Sequence, residues 1–148
     1  MTPTQFRVTM MLADHAQVAD GKLFISGGGW SVTGTPTQPS ALALLMQVPW
    51  TEANRKIPFT LRLVDGDGQP VRQPTPDGQS TPVEITGSLE VGRPVGVPEG
   101  TMLDAPFAAN LPPLFLAPGR YVWELWLDGE TRAEWQVSFL ARPAGQGH

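Results

Sequence analysis

Along much of the chain, apolar and polar residues trade places at every other position. In residues 83–91, Val83, Ile85, Leu89 and Val91 fall on odd positions, and Glu84, Thr86, Ser88 and Glu90 on even ones. A period of two puts one set on the buried face of a strand and the other in water. Phe59, Leu61 and Leu63 alternate in the same way with Thr60 and Arg62, and Phe6, Val8, Met10 and Leu12 with Arg7 and Thr9. Tyr121, Trp123, Leu125 and Leu127 line one face of a further strand, and Trp135, Val137 and Phe139 one face of the last. Less regular patterns predict strands at residues 22–27, 30–34, 41–48 and 105–110. Residues 41–46, capped by Ser40, also fit a short helix, because Ala and Leu favour helices. Pro39 and Pro49 confine that run to the usual length of a strand, which is the reading preferred.

Turn chemistry agrees with this pattern. Asp128 and Gly129 stand between the two Trp-rich strands, and both residue types accept the positive φ of a two-residue hairpin, so those strands are predicted to pair antiparallel. Asp20-Gly21, Asp77-Gly78 and the run from Asp65 to Gly68 mark further reversals. Residues 69–82 and 92–106 are Pro-rich and read as long loops between sheets. Pro118-Gly119-Arg120-Tyr121 resembles the corner at which a sandwich strand starts and a Tyr hydroxyl pins the preceding loop. The fold predicted is all-β: a single Greek-key β-sandwich over residues 1–148, immunoglobulin-like or jelly-roll in type, with about eight or nine strands. Residues 142–148 carry no pattern and are expected to fray.

Composition narrows the function classes. Gly and Pro number 16 each, which suits many short strands rather than long helices. Ten basic residues, scattered singly, against fourteen acidic ones give a net charge of −4, and this speaks against a nucleic-acid partner held through its phosphates. The absence of cysteine excludes disulfides, thiolate catalysis and Cys-based zinc sites, and leans towards the cytoplasm. Residues 1–6 do not open like a secretory signal. The longest apolar run, residues 41–46, falls far short of the ~20 residues needed to span a membrane. A soluble, unprocessed protein without a membrane partner is expected.

Each candidate constellation has a plainer reading beside it. Asp14, His15 and Asp20 could hold a divalent ion or move a proton, but their spacing matches no ligand pattern, and a hydrogen-bonded turn between the first two strands is favoured. The other histidine, His148, lies in the tail. Asp65, Asp67 and Gln69 open like a calcium loop, yet Pro70 and Pro76 stand where such a loop needs Gly and Glu, so a turn is the better account. Gly27, Gly28 and Gly29 lead into Trp30 and a strand rather than a helix, which points to a bulge or a close passage of backbone instead of a phosphate cradle. Glu84 and Glu90 are about 20 Å apart at strand rise, too far for paired-carboxylate glycoside hydrolysis. Glu124 and Glu134 can meet across the Asp128 hairpin, with a solvated face as the favoured reading. No serine sits in a nucleophile elbow. No metal, cofactor or catalytic residue is therefore assigned.

Tryptophan is the residue type in excess. Trp123 and Trp135 fall on inward positions, whereas Trp126 shares the opposite face of its strand with Glu124, and Trp50 follows Pro49 at a strand end. Outward indoles stack on sugars or anchor protein interfaces. Burial under a crossing loop is the equal alternative.

The segment ADHAQVADGKLFISGGGW, residues 13–30, is similar to the N-terminal signature of a family of small uncharacterised bacterial proteins, mainly actinobacterial. Residues 43–50, 90–94 and 116–121 with Trp123 fit the same pattern, so the likeness runs along nearly the whole chain. The resemblance marks Asp14, His15, Gln17, Asp20, Gly21, Gly27, Gly28, Gly29 and Trp30 as the characteristic segment and gives none of them a chemical role. It implies a bacterial, intracellular protein of unknown function.

The function expected is a non-enzymatic module that binds a protein partner, or a second copy of itself, through a sheet face or edge, with Trp50, Trp126 and Glu124 as the surface. The alternative is a carbohydrate- or small-ligand-binding sandwich that uses the same indoles.

Overall fold

The computed structural model describes residues 5–143. Two sheets face each other. One has three strands in the order β1-β5-β10, namely Arg7–Ala13, Ser40–Val48 and Leu103–Leu111. The other has five in the order β4-β12-β11-β6-β9, namely Val32–Thr33, Glu130–Ala141, Gly119–Leu127, Ile57–Asp65 and Glu84–Leu89. All neighbours pair antiparallel except β4, which runs parallel to β12. The chain is an all-β sandwich.

Two hairpins bring the strands to twelve: β2–β3, His15–Ala19 with Lys22–Ser26, and β7–β8, Arg72–Pro74 with Ser80–Pro82. The eight strands of the two sheets match the expected number, and the hairpins exceed it. The first hairpin corrects the reading of Asp14, His15 and Asp20 as one turn, because His15 opens β2 and Asp20 lies in the turn at its far end. The second occupies part of the stretch taken as a loop, since proline is tolerated where an edge strand has no donor to offer. Likewise the 92–106 loop ends earlier than expected, at the start of β10.

Alternation explains the core. Leu42, Leu44, Met46 and Val48 of β5 meet Phe59, Leu61, Leu63, Trp123, Leu125 and Leu127 of the larger sheet in one buried cluster. The odd residues of β5 turn the other way, and Ala41 and Ala43 join Ala13 and Ala16 in a second cluster beneath the β2–β3 hairpin. β5 is thus buried on both faces, which is why its sequence reads as a continuous apolar run. Alanine on the outer side lets the hairpin come close, making a third layer. Asn110 of β10 pins it by donating from Nδ2 to the Ala16 carbonyl at 2.8 Å while accepting the Ala16 N–H at 3.2 Å.

Two predicted details are present. Asp128 and Gly129 adopt φ of 53° and 78° in the β11–β12 turn, as such hairpins require. The Tyr121 hydroxyl donates to the Ala117 carbonyl at 2.6 Å, the tyrosine-corner contact. Burial is the main cause, and Asp65 a lesser one, that pushes this phenol above its ordinary value of 10.0. The expected fraying from residue 142 is not seen at Arg142, whose N–H donates to the Thr33 carbonyl at 2.8 Å. His148 and the rest of that tail, residues 144–148, lie outside the described residues.

Candidate functional site

Where β9 and β10 form facing edges of the two sheets, the sandwich stays open. A groove of about 560 Å³ runs between them, within the range of ligand sites. Met46, Phe59, Ile85, Leu89, Val91 and Phe107 give it an apolar lining. Phe59 and Phe107 meet edge to face with centroids 5.0 Å apart and so join the two sheets. Gly87 lies in the groove wall, in the inward row of β9 between Ile85 and Leu89, and the Phe59 ring packs over it. A Cβ there would come within 3.0 Å of Phe59 Cζ. The φ of Gly87 is not in the left-handed region, so the residue is small for steric reasons, as where another backbone or a ligand comes close.

Beside the groove, β9 is an edge strand with unused hydrogen-bonding groups. The Asp128 N–H donates to the Pro58 carbonyl at 3.0 Å, and the Leu63 N–H to the Val83 carbonyl at 3.0 Å. Even residues of β6 therefore face β11 and odd ones face β9. Given the register Phe59↔Gly87 and Leu61↔Ile85, Ile85, Gly87 and Leu89 spend their backbone groups on β6, and Thr86 and Ser88 point theirs outward. No partner for that outward row is present among the described residues. Glu90 and Asp104 stand along the groove, and Gln47 Nε2 donates to Asp104 Oδ1 at 3.1 Å. Val18 and Gly21, from the β2–β3 hairpin, line it as well.

Of the residues singled out from sequence, Gly21 and Glu90 border this groove; the others lie elsewhere and do not form one site. Asp14 and His15 sit at one end of the β2–β3 hairpin and Asp20 at the other, since His15 pairs with Ser26 while Ala19 pairs with Lys22. Among the described residues no three His, Asp or Glu side chains gather as metal ligands. Gly27 has φ +62°, and a Cβ on it would collide with the Asp14 carboxylate; one on Gly28 would lie 2.8 Å from Ile25 Cγ2. This is the close backbone passage anticipated. Gln17 lies outward on β2. Trp30 packs edge-on against Phe139 at 6.0 Å, its Nε1 buried without a partner among the described residues. The Asp65 turn closes on itself, Oδ1 accepting the N–H of Asp67 at 2.9 Å and of Gln69 at 3.0 Å.

The tryptophan surface differs from expectation. Trp126 is half-buried: the Arg62 guanidinium lies 5.3 Å over its ring, and its Nε1 donates to Glu124 Oε1 at 3.2 Å. Arg62 also reaches Glu84 at 3.5 Å. Trp50, in a single 3-10 turn, is covered by Arg93 at 4.8 Å. Each indole has one face occupied by arginine, a cation–π contact, and a hollow of about 350 Å³ beside Trp126 is bordered by Pro58, Thr60, Arg62 and Gly129. Glu124 pairs across the hairpin with Gln136, not Glu134, because a bulge shifts the register between Glu124 and Trp126.

The family of unknown function DUF6941 matches residues 8–139. The chain belongs to that family. No curated protein matches the chain. Among solved structures, the Pseudomonas fluorescens alkylpurine DNA glycosylase AlkC bound to DNA containing an abasic site analog is similar to this family member at 14% identity, with a TM-score of 0.45. The likeness covers 90% of this chain and 30% of the glycosylase chain. Among the described residues, no helix is long and apolar enough to cross a membrane.

Proposed function

We propose that the chain is a non-enzymatic protein-binding module, and that it takes up an extended segment of a partner as an added strand on β9. The observation that carries this reading is a coincidence along β9: an unpaired backbone row runs beside an open apolar groove, in whose wall the Phe59 ring packs over Gly87. Strand addition draws affinity from main-chain hydrogen bonds and selectivity from pockets for alternate side chains, and β9 offers both. Residues 13–30, which resemble a family signature, build the hairpin whose Val18 and Gly21 line the same groove, and this supports a shared role. The β1-β5-β10 and β4-β12-β11-β6-β9 order, with β4 parallel to β12, favours the immunoglobulin-like type over a jelly roll. The carbohydrate reading has less support, given the arginines on Trp50 and Trp126.

Selection from a random library of displayed heptapeptides tests the proposal. Enriched sequences are expected to alternate apolar and polar residues, and to slow amide exchange at Thr86 and Ser88. Gly87→Ala, which pushes on the Phe59 ring, is expected to weaken binding about tenfold, equivalent to ~1.4 kcal/mol. Enriched peptides that perturb only the Trp126 face, or no enrichment at all, would overturn the reading.

A further inference from the structure

We infer that the strand accepted at β9 is cationic, with apolar side chains at alternate positions and a Lys or Arg opposite Glu90. The inference rests on the strand-addition reading above and adds the chemistry of the partner. In an antiparallel addition, the partner residues opposite Ile85, Gly87 and Leu89 project to the same side as those residues, over Phe59 and Phe107. The residue opposite Gly87 meets the Phe59 ring, which packs over that glycine. Partner residues opposite Glu84, Thr86, Ser88 and Glu90 lie on the solvent side.

Charge decides the ends. Glu90 and Asp104 both line the groove, and among the described residues neither has a Lys or Arg within salt-bridge distance. Glu84, at the other end of β9, already has Arg62 at 3.5 Å. A basic residue is therefore called for at the Glu90 end and not at the Glu84 end, which gives the partner a direction. The same charges count against one of the two antiparallel pairings with a second copy of this chain: with Thr86 opposite Ser88, each Glu84 directly opposes a Glu90, whereas with Thr86 opposite Thr86 each Glu84 opposes a Ser88. Like charges directly across a ladder are destabilising, and both copies carry a net charge of −4.

The test uses the full chain and three peptides that differ only in their first residue, Lys, Gln or Glu, followed by Val-Thr-Leu-Thr-Val-Ser with blocked ends. Affinities are read by titration calorimetry, and the site by amide exchange at Thr86 and Ser88. The Lys peptide is expected to bind about fivefold more tightly than the Gln peptide, the scale of one exposed ion pair. That advantage should shrink in high salt. Glu90→Lys combined with Asp104→Lys changes two exposed side chains, and should make the Glu peptide the tightest of the three. Equal affinities with Thr86 and Ser88 protected would remove the cationic preference and leave strand addition standing. If no peptide binds and those amides are unchanged, strand addition itself falls. A dimer by sedimentation that protects the same amides would replace the cationic partner with a second copy.

Discussion

The sandwich meets solvent along two seams that are built differently. Where β1 passes β12, Phe6 meets Trp135 edge to face at 6.4 Å, and Arg132 lies 5.4 Å over the Trp135 ring. Near that seam Arg55 ties Asp128 at 2.6 Å and Glu52 at 3.1 Å. Along β9 and β10, Phe59 and Phe107 also meet, with Phe59 packed over Gly87, and a groove of about 560 Å³ stays open beside them. The first seam is the more closed: its aromatic pair and covering cation leave a smaller hollow of about 290 Å³ bordered by Gln5, Glu52, Asp128 and Arg132. The second has the same kind of pair beside a larger, apolar groove of about 560 Å³. The two seams thus differ in the size and lining of their openings, and the larger apolar opening is where a binding site is expected.

The largest effects should separate the seams by stability. Trp135 is only 3% exposed, and Trp135→Ala is expected to cost about 3–5 kcal/mol, the range for large buried aromatics. Phe107 is half-buried and borders the groove, so Phe107→Ala should cost roughly half as much, because its contacts are already incomplete on one side. Urea unfolding followed by circular dichroism gives both values. Equal costs would mean that the open seam is packed as tightly as the closed one, and the contrast would fail.

Sequence alone resolves these regions unevenly. Strands buried on one face, such as β6 and β11, announce themselves by alternation, and the Asp128-Gly129 turn by its residue types. Of the β2–β3 hairpin, β3 and the Asp20-Gly21 reversal are anticipated, but β2 is not, because its buried face at Ala16 depends on a third layer of alanines supplied by β1 and β5. β7 and β8 are masked by Pro74 and Pro82, which read as loop until their edge position is known. In the site, Gly87 is visible as a lone glycine inside an apolar row. Its meaning depends on Phe59 and Phe107, which only the packed sheets bring together. Trp126 is correctly read as lying on the outer face with Glu124, but the arginine stacked on it comes from β6 and is not foreshadowed by spacing within β11.

A smaller effect is expected where the third layer is fastened beside the open seam. Asn110→Ala removes both hydrogen bonds to Ala16, whose backbone then has no partner there, at an expected cost of about 1–2 kcal/mol. Amide exchange should quicken across β2 and β3 before it does in β5 or β11. Quickening spread evenly over the sandwich would show that the hairpin is part of the main cooperative unit and not a separately latched cover for the groove.

The smallest effect belongs to the closed seam and is read through pH. The hydrogen bond from Arg55 holds the Asp128 carboxyl below its ordinary value of 3.8, with the cation's charge acting in the same direction against slight burial. A carboxyl whose pKa is depressed by folding stabilises the folded state above its unfolded value, and that contribution is lost as pH falls through the folded value. Both side chains are more than a third exposed, at 39% and 35%, so screening by solvent limits the pair to less than about 1 kcal/mol. Asp128→Asn keeps a residue that accepts positive φ and removes the charge together with one of the two oxygens that accept from Arg55. The variant should be slightly less stable at neutral pH, and the gap should close on acidification and also shrink in high salt. Urea midpoints from neutral pH down through the titration of Asp128 supply the comparison. A gap that persists in acid would assign the loss to turn geometry, and the Arg55 clamp would then have no share in keeping this seam closed.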